Sequence, residues 1–283
     1  MCLLGISACA LSISVSSQST ADSSILPSSL SYTALLDSAE NLFNDSKWSE
    51  AASLYRDALK MNPGSPLNSK IFANLGMCLT NVGDFDGALQ SFEIALVKEP
   101  DSPRILTNKA SLLLLMGNKD EATSLLDQSL RIDSMMPEAL RLHGQLMLMS
   151  ERLQEARNDF SRLCVADPSE AWGPAGEAEV LLAQNEFANA IPLLNKAINL
   201  REAPEFRISL IEAQLGNNRL ADAENSIREA LTLYPTQGEF YLLRALLNKT
   251  LHQNRQAEID KKSAIEYGVD PQIVEKYLPT FSK

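Results

Sequence analysis

Seven alanines recur along the chain at nearly constant intervals. The spacings between them are 37, 34, 34, 34, 33 and 34 residues. The alanines are Ala51, Ala88, Ala122, Ala156, Ala190, Ala223 and Ala257. A period near 34 residues is typical of stacked helical hairpins, in which each unit is a pair of antiparallel helices. This repeat constrains the fold more than any other feature, because units that contact only their neighbours need no single central core.

The clearest copy of the repeat places small and aromatic residues at fixed offsets. Ala88, Phe92 and Ala95 are spaced by four and three residues, which puts them on one helix face, and Pro100 follows where a helix must end. A small residue also precedes the alanine by twelve positions in most copies. These residues are Ala39, Gly76, Ala110, Gly144, Ala178 and Ala245. We expect them to allow the two helices of each hairpin to approach closely.

The repeat divides the chain into predicted segments. The repeats lie near 32–65, 69–102, 103–136, 137–170, 171–203, 204–237 and 238–269. Asp270 and Pro271 then begin a short helix, within the terminal segment 270–283, that we expect to cap the array. Lys261 replaces the usual large apolar residue in the last repeat, and we expect it to lie on a polar outer face.

Composition and motifs exclude several functions. The formal charge of −11, from 25 basic and 36 acidic residues, argues against nucleic-acid binding. The sequence has no phosphate-binding glycine loop, no zinc-protease motif and no nucleophile-elbow motif. It therefore predicts a protein that is not an enzyme and has no cofactor and no metal site. Cys78 and Cys164 lie two repeats apart, too far for a disulfide, and are predicted to be buried free thiols.

The N-terminal segment resembles an export signal. Residues 1–15 are apolar or small and uncharged, too short to span a bilayer but suited to the apolar region of a signal peptide. One interpretation is cleavage after residue 17; another is a bacterial lipobox in which Cys9 carries a lipid. The basic region that normally precedes the apolar region is missing, so we expect the natural start to lie upstream. The alternative is the tail of a cytoplasmic protein, and the serine-rich residues 18–31 are predicted to form a disordered linker.

The repeat pattern resembles the tetratricopeptide repeat family. Gly76, Ala88, Phe92, Ala95 and Pro100 carry the resemblance in its clearest copy, and it extends over about residues 32–268. The resemblance implies a right-handed superhelical solenoid of about seven helix–turn–helix repeats with a short C-terminal capping helix. It also implies a groove, lined by the first helix of each repeat, that holds a protein or an extended peptide.

The groove positions of the family can be carried over to repeats two to four. The resulting residues are Lys70, Asn74, Met77, Arg104, Thr107, Asn108, Ser111, Arg141 and Gln145. Arginine and lysine suit carboxylates, and asparagine amides suit a peptide backbone. The predicted ligand is an extended peptide, or a chain with a free C-terminus or acidic side chains. Leu36 and Glu40 stand where the carboxylate-clamp members of the family have Lys and Asn, so the clamp is incomplete.

Two functional hypotheses follow from these observations. The first is a non-catalytic scaffold or adaptor in a bacterial cell envelope, periplasmic or lipid-anchored, that serves an assembly or secretion complex. The second is a cytoplasmic peptide binder similar to a co-chaperone, which requires the apolar N-terminal segment to remain uncleaved.

Overall fold

The computed structural model describes residues 31–278, and the regular structure within that range consists of fifteen α-helices. The predicted all-α helical-repeat class is confirmed. The predicted export signal in residues 1–17, the lipidation site Cys9 and residues 279–283 lie outside the described residues. The predicted linker also lies outside them, apart from Ser31, whose side chain accepts a hydrogen bond from the backbone of Ala34 and so begins the first helix.

The helices alternate as the first and second members of successive hairpins. The first helices are α1 (Tyr32–Asn44), α3 (Asn68–Val82), α5 (Pro103–Leu115), α7 (Pro137–Met149), α9 (Trp172–Ala183), α11 (Pro204–Gly216) and α13 (Gly238–Thr250). The second helices are α2 (Trp48–Met61), α4 (Phe85–Lys98), α6 (Lys119–Ile132), α8 (Leu153–Ala166), α10 (Phe187–Leu200), α12 (Leu220–Leu233) and α14 (Asn254–Glu266). A last short helix is α15 (Pro271–Tyr277).

The chain divides into two compact units after His143. The N-terminal unit is residues 31–143 and the C-terminal unit is residues 144–278, so α7 contributes to both. Within the N-terminal unit, α3 packs against α2, α4 and α5. Within the C-terminal unit, α13 packs against α11, α12 and α14. In both units, therefore, the first helix of a hairpin contacts its own partner, the preceding second helix and the preceding or following first helix.

Each hairpin turns through one residue in the left-handed region of backbone space. Two of these residues are glycines, Gly83 and Gly117, both with φ of 83°. The others are Ser46, Glu151, Asn185, Asn218 and His252, with φ between 55° and 61°. All seven occupy the same position in the repeat, two residues before the first residue of each second helix. The tight turn thus requires left-handed backbone geometry whether or not the sequence supplies a glycine.

The small residues of the first helices lie under the aromatic rings of the second helices. A Cβ atom added to Gly76 would be 2.8 Å from the ring of Phe92, and one added to Gly144 would be 3.0 Å from the ring of Phe160. Both rings are almost completely buried. The predicted close approach is confirmed, and its cause is a ring lying against the glycine backbone.

The final helix is held by a buried lysine. Lys261 is only 8% exposed, and its ammonium group donates to the Glu275 carboxylate at 2.7 Å and to the Leu278 backbone carbonyl at 2.8 Å. The prediction that Lys261 lies on a polar outer face is therefore wrong. The lysine can replace the large apolar residue of the other repeats because its apolar stem is buried while its charged end reaches α15.

The two cysteines within the described residues differ in burial. Cys78 is buried as predicted, but Cys164 is only half-buried, so the prediction for Cys164 is wrong. Burial raises the pKa of the Cys78 thiol to about 12, against a smaller lowering by the charge of Arg56. Burial also raises the pKa of Cys164.

Candidate functional site

Two cations of the predicted groove lie at equivalent positions on contacting helices. Lys70 is near the start of α3, Arg104 is near the start of α5, and the two helices pack together. Both side chains are exposed, and neither forms a salt bridge within residues 31–278. Since the protein carries a net charge of −11, two neighbouring cations without carboxylate partners form an unusual local surface.

Two asparagines follow the cations by one helical turn. Asn74 on α3 is half-buried, and its amide donates to the hydroxyl of Tyr55 at 3.3 Å. Asn108 occupies the same position on α5, and its amide nitrogen is buried with no hydrogen-bond partner in the described part of the chain. Buried amide groups are normally bonded, so Asn108 retains an unused donor beside the exposed cations.

Tyr55 is a contact that the sequence did not predict. Its ring is 2% exposed in the core of the N-terminal unit, and burial raises the pKa of its hydroxyl. The hydroxyl nevertheless reaches the polar side of α3 and accepts from Asn74. Tyr55 and Phe92 occupy the same position of the repeat, where the motif requires only a large apolar ring. The spacing therefore does not predict that the Tyr55 hydroxyl forms a hydrogen bond.

Met77 and Arg141 are less available than the first two cations. Met77 is half-buried and packs against the core of the N-terminal unit. Arg141 on α7 is also half-buried, and its Nε donates to Glu138, three residues earlier on the same helix, at 3.1 Å. The Arg141 charge is therefore partly neutralised within its own helix, unlike the charges of Lys70 and Arg104.

Two residues carried over from the family positions are not on an exposed surface. The Thr107 side chain is completely buried, and its hydroxyl is 2.9 Å from that of Ser129, so the prediction that it lines an open groove is wrong. Gln145, which belongs to the C-terminal unit, is 2% exposed. The Thr107 side chain is covered because it points toward α6, where Ser129 lies. The Gln145 side chain is covered within the C-terminal unit.

Within residues 31–278, no group of three or more His, Cys, Asp or Glu side chains is arranged to hold a metal ion. In the same range, none of the helices has the length and apolar character needed to cross a membrane.

Repeated antiparallel helix pairs, with exposed polar side chains on the first helix of each pair, define a helical-repeat protein. More specifically, the chain belongs to the tetratricopeptide repeat family. Family models described as tetratricopeptide repeat match residues 36–103, 79–146 and 176–248.

Solved structures of the same fold include several bacterial proteins. A tetratricopeptide repeat protein from Parabacteroides merdae is 20% identical and has a TM-score of 0.67, over 87% of this chain and 97% of that one. PilW, described as a type IV pilus biogenesis factor, is 17% identical with a TM-score of 0.65, over 74% of this chain and 96% of that one. YrrB, described as having an unusual peptide-binding site, is 18% identical with a TM-score of 0.53, over 68% of this chain and 100% of that one. At these identities the likeness shows the fold alone.

Curated relatives are longer proteins. A U-box domain-containing protein from Oryza sativa is 28% identical over 126 residues, which is 44% of this chain and 15% of the rice protein. A DnaJ homolog of subfamily C from Rattus norvegicus is 30% identical over 109 residues, which is 38% of this chain and 22% of the rat protein. The match thus spans less than a quarter of either relative.

Proposed function

We propose that this protein is a non-catalytic scaffold that binds an acidic, extended segment of a partner protein along α3 and α5. The observation that carries the proposal is the pair Lys70 and Arg104. Both are exposed, both stand at the same position of contacting helices, and neither pairs with a carboxylate among the described residues. Adjacent like charges repel each other, and an acidic ligand relieves that repulsion while it gains charge-assisted hydrogen bonds.

Asn74 and Asn108 supply the complementary recognition of a peptide backbone. Their amides lie one turn further along the same two helices, and the Asn108 amide nitrogen has no hydrogen-bond partner within residues 31–278. A modest rotation of that side chain would offer its donor to a peptide carbonyl. Arg141 extends the positive charge once it is released from Glu138, and Met77 supplies apolar contact. Gln145 is not part of this surface, because its side chain is buried within the C-terminal unit.

The cellular setting that we propose is the bacterial envelope. The support is the uncharged apolar segment of residues 1–15 followed by a serine-rich linker, with the repeat array from residue 32 onward. The similarity of fold to PilW agrees with an assembly role. Cys9 is the proposed lipidation site if the segment is processed as a lipoprotein.

A second candidate is a cytoplasmic peptide binder, which the similarity to DnaJ homologs favours. The mass of the N-terminal peptide of the protein purified from its natural source distinguishes the two. A mature chain that begins after residue 17, or at a lipid-modified Cys9, supports the envelope. A chain that retains residues 1–15 supports the cytoplasm.

The binding surface is tested by charge reversal. The variant is Lys70→Glu combined with Arg104→Glu, and the control is Lys98→Glu combined with Lys119→Glu, which reverses two exposed lysines on α4 and α6. A partner is identified by mass spectrometry after retention on the immobilised chain, then purified and titrated by calorimetry. We expect the first variant to weaken binding by about a hundredfold and the control by less than threefold. Equal affinities for the two variants would remove this surface from the proposal and leave the fold unaffected.

A further inference from the structure

Polar pairs join the second helix of one hairpin to the first helix of the next at a recurring position. In each pair the two residues are sixteen positions apart in the sequence, and their side chains meet across the two helices. The pairs are Lys109–Glu93 at 3.6 Å, His143–Asp127 at 3.3 Å, and Glu177–Ser161. The first two lie in the N-terminal unit and the third in the C-terminal unit. Three of the six junctions between successive hairpins thus have a complementary pair at this position, whereas Leu59 and Leu75 occupy it at the junction of α2 and α3.

The junction between the last two hairpins places two cations at this position. Arg228 on α12 and Arg244 on α13 have the same separation as the paired residues above. Two guanidinium groups cannot pair, and Arg244 turns instead to Asp260 on α14, with bonds of 3.0 Å and 2.6 Å. Asp260 is completely buried and also accepts from Asn248 at 2.8 Å. The charge of Arg244 is therefore offset by a carboxylate of its own hairpin.

A cavity lies between α12 and α13, where the pair is missing. Its volume is about 450 Å³, and both arginines line it. Leu247 and Asn248, which are buried, form its floor, and Leu231 contributes an apolar side. Cavities of several hundred Å³ with apolar walls and a few polar groups are typical of ligand sites.

Arg228 is the cation that remains for a ligand. Its side chain is exposed, and it donates to the amide oxygen of Asn225 at 2.9 Å. Within residues 31–278 it forms no salt bridge, whereas Asp260 offsets the charge of Arg244. Glu224 is the one carboxylate among the lining residues and is exposed one turn before Arg228 on α12. The lining therefore combines Arg228, which has no carboxylate partner within residues 31–278, with leucine side chains and one exposed glutamate.

We propose that this cavity is a second peptide-binding site, which takes an acidic residue flanked by leucine-sized side chains. The acidic carboxylate faces Arg228, and the apolar neighbours pack on Leu231 and Leu247. The site lies in the C-terminal unit and uses neither Lys70 nor Arg104, so it is independent of the surface on α3 and α5.

The test is a nuclear magnetic resonance titration of the full chain. The probe is the blocked peptide acetyl-Leu-Asp-Leu-Glu-amide, and its matched control is acetyl-Leu-Asn-Leu-Gln-amide. We expect the acidic peptide to shift amide signals of α12 and α13, and the neutral peptide to bind at least tenfold more weakly. Arg228→Gln should weaken binding of the acidic peptide by about tenfold. Arg131→Gln, at an exposed arginine of α6, should change it by less than twofold.

Several results would overturn the proposal. These are no binding of the acidic peptide, equal binding of the two peptides, signal shifts confined to other helices, or wild-type affinity in Arg228→Gln. The double variant Lys70→Glu, Arg104→Glu should retain the signal shifts on α12 and α13. Loss of those shifts in the double variant, with retention in Arg228→Gln, would assign the acidic peptide to the α3–α5 surface and reject this cavity.

Discussion

Phe160 lies directly against the backbone of Gly176: a Cβ atom added to the glycine would be 2.3 Å from Cδ1 of the ring. The same ring also covers Gly144, where an added Cβ atom would be 3.0 Å away. Phe160 on α8 therefore packs between α7 and α9 because both helices have no side chain at the contact. The glycines of the two first helices and the ring of one second helix form a single packing unit.

We predict that Gly176→Ala destabilises the protein. Backbone and ring must shift to admit the methyl group, at a typical cost of about 1–3 kcal/mol in the free energy of unfolding. Urea unfolding followed by circular dichroism measures the effect. The control is Gly64→Ala, because nothing lies within 4 Å of a Cβ atom there, and we expect a change within about 0.5 kcal/mol. Equal stability of the two variants would contradict the packing argument.

Asp260 is expected to be the most sensitive carboxylate of the last hairpin. It is completely buried, and its removal leaves Arg244 and Asn248 without their shared acceptor. Asp260→Ala should lower the free energy of unfolding by about 3 kcal/mol, as measured by urea denaturation. Asp222→Ala removes the exposed salt bridge with Arg219 and should lower the free energy of unfolding by less than about 1 kcal/mol. A small effect at Asp260 would mean that water replaces the lost carboxylate.

Stability should fall in mildly alkaline solution because of Cys78. Its pKa rises from 9.0 to about 12 on folding, so between these values the folded chain keeps a proton that the unfolded chain releases. The contribution is fully present below pH 9 and is lost as the pH rises toward 12. Each rise of one pH unit in this window lowers the free energy of unfolding by about 1.4 kcal/mol.

The variant that isolates this effect is Cys78→Ala. Between pH 9 and 10.5 it should lose about 2 kcal/mol less stability than the wild type, in urea titrations at matched ionic strength. The cavity left by the thiol shifts stability equally at every pH and cancels in the comparison. Parallel pH curves for the two proteins would show that the thiol does not stay protonated in the folded state.

Lys261 is expected to control the docking of α15. Lys261→Met keeps the buried stem but loses the bonds to Glu275 and to the backbone carbonyl of Leu278. Amide hydrogens of Val274 to Leu278 should then exchange at least tenfold faster, because the helix opens more often without unfolding the rest. Hydrogen-exchange mass spectrometry measures the change. Lys262→Met, at the exposed neighbouring lysine, should leave these rates unchanged.

The candidate surface could be predicted only in part. Lys70 and Arg104 are exposed as the family positions imply, although their neighbours Ser69 and Ile105 on the same helices are buried. Thr107 and Gln145 follow from the same positional rule but are buried. The position of a residue in the repeat predicts the direction of its side chain on an ideal helix. Its burial depends in addition on how much of that helix face the neighbouring helix covers.

The amino-acid sequence by itself determined the helical hairpins and their number. Alanines at a period near 34, followed four positions later by a large apolar residue in six of the seven copies, are compatible with few other structures, because small and large residues must coincide at the helix contacts. Only the tertiary structure decided the partners of the long charged side chains. Lys261 reaches α15, and Arg244 turns to Asp260 and leaves Arg228 beside a cavity. Long side chains adopt many rotamers at similar energy, so their choice depends on residues brought near by folding.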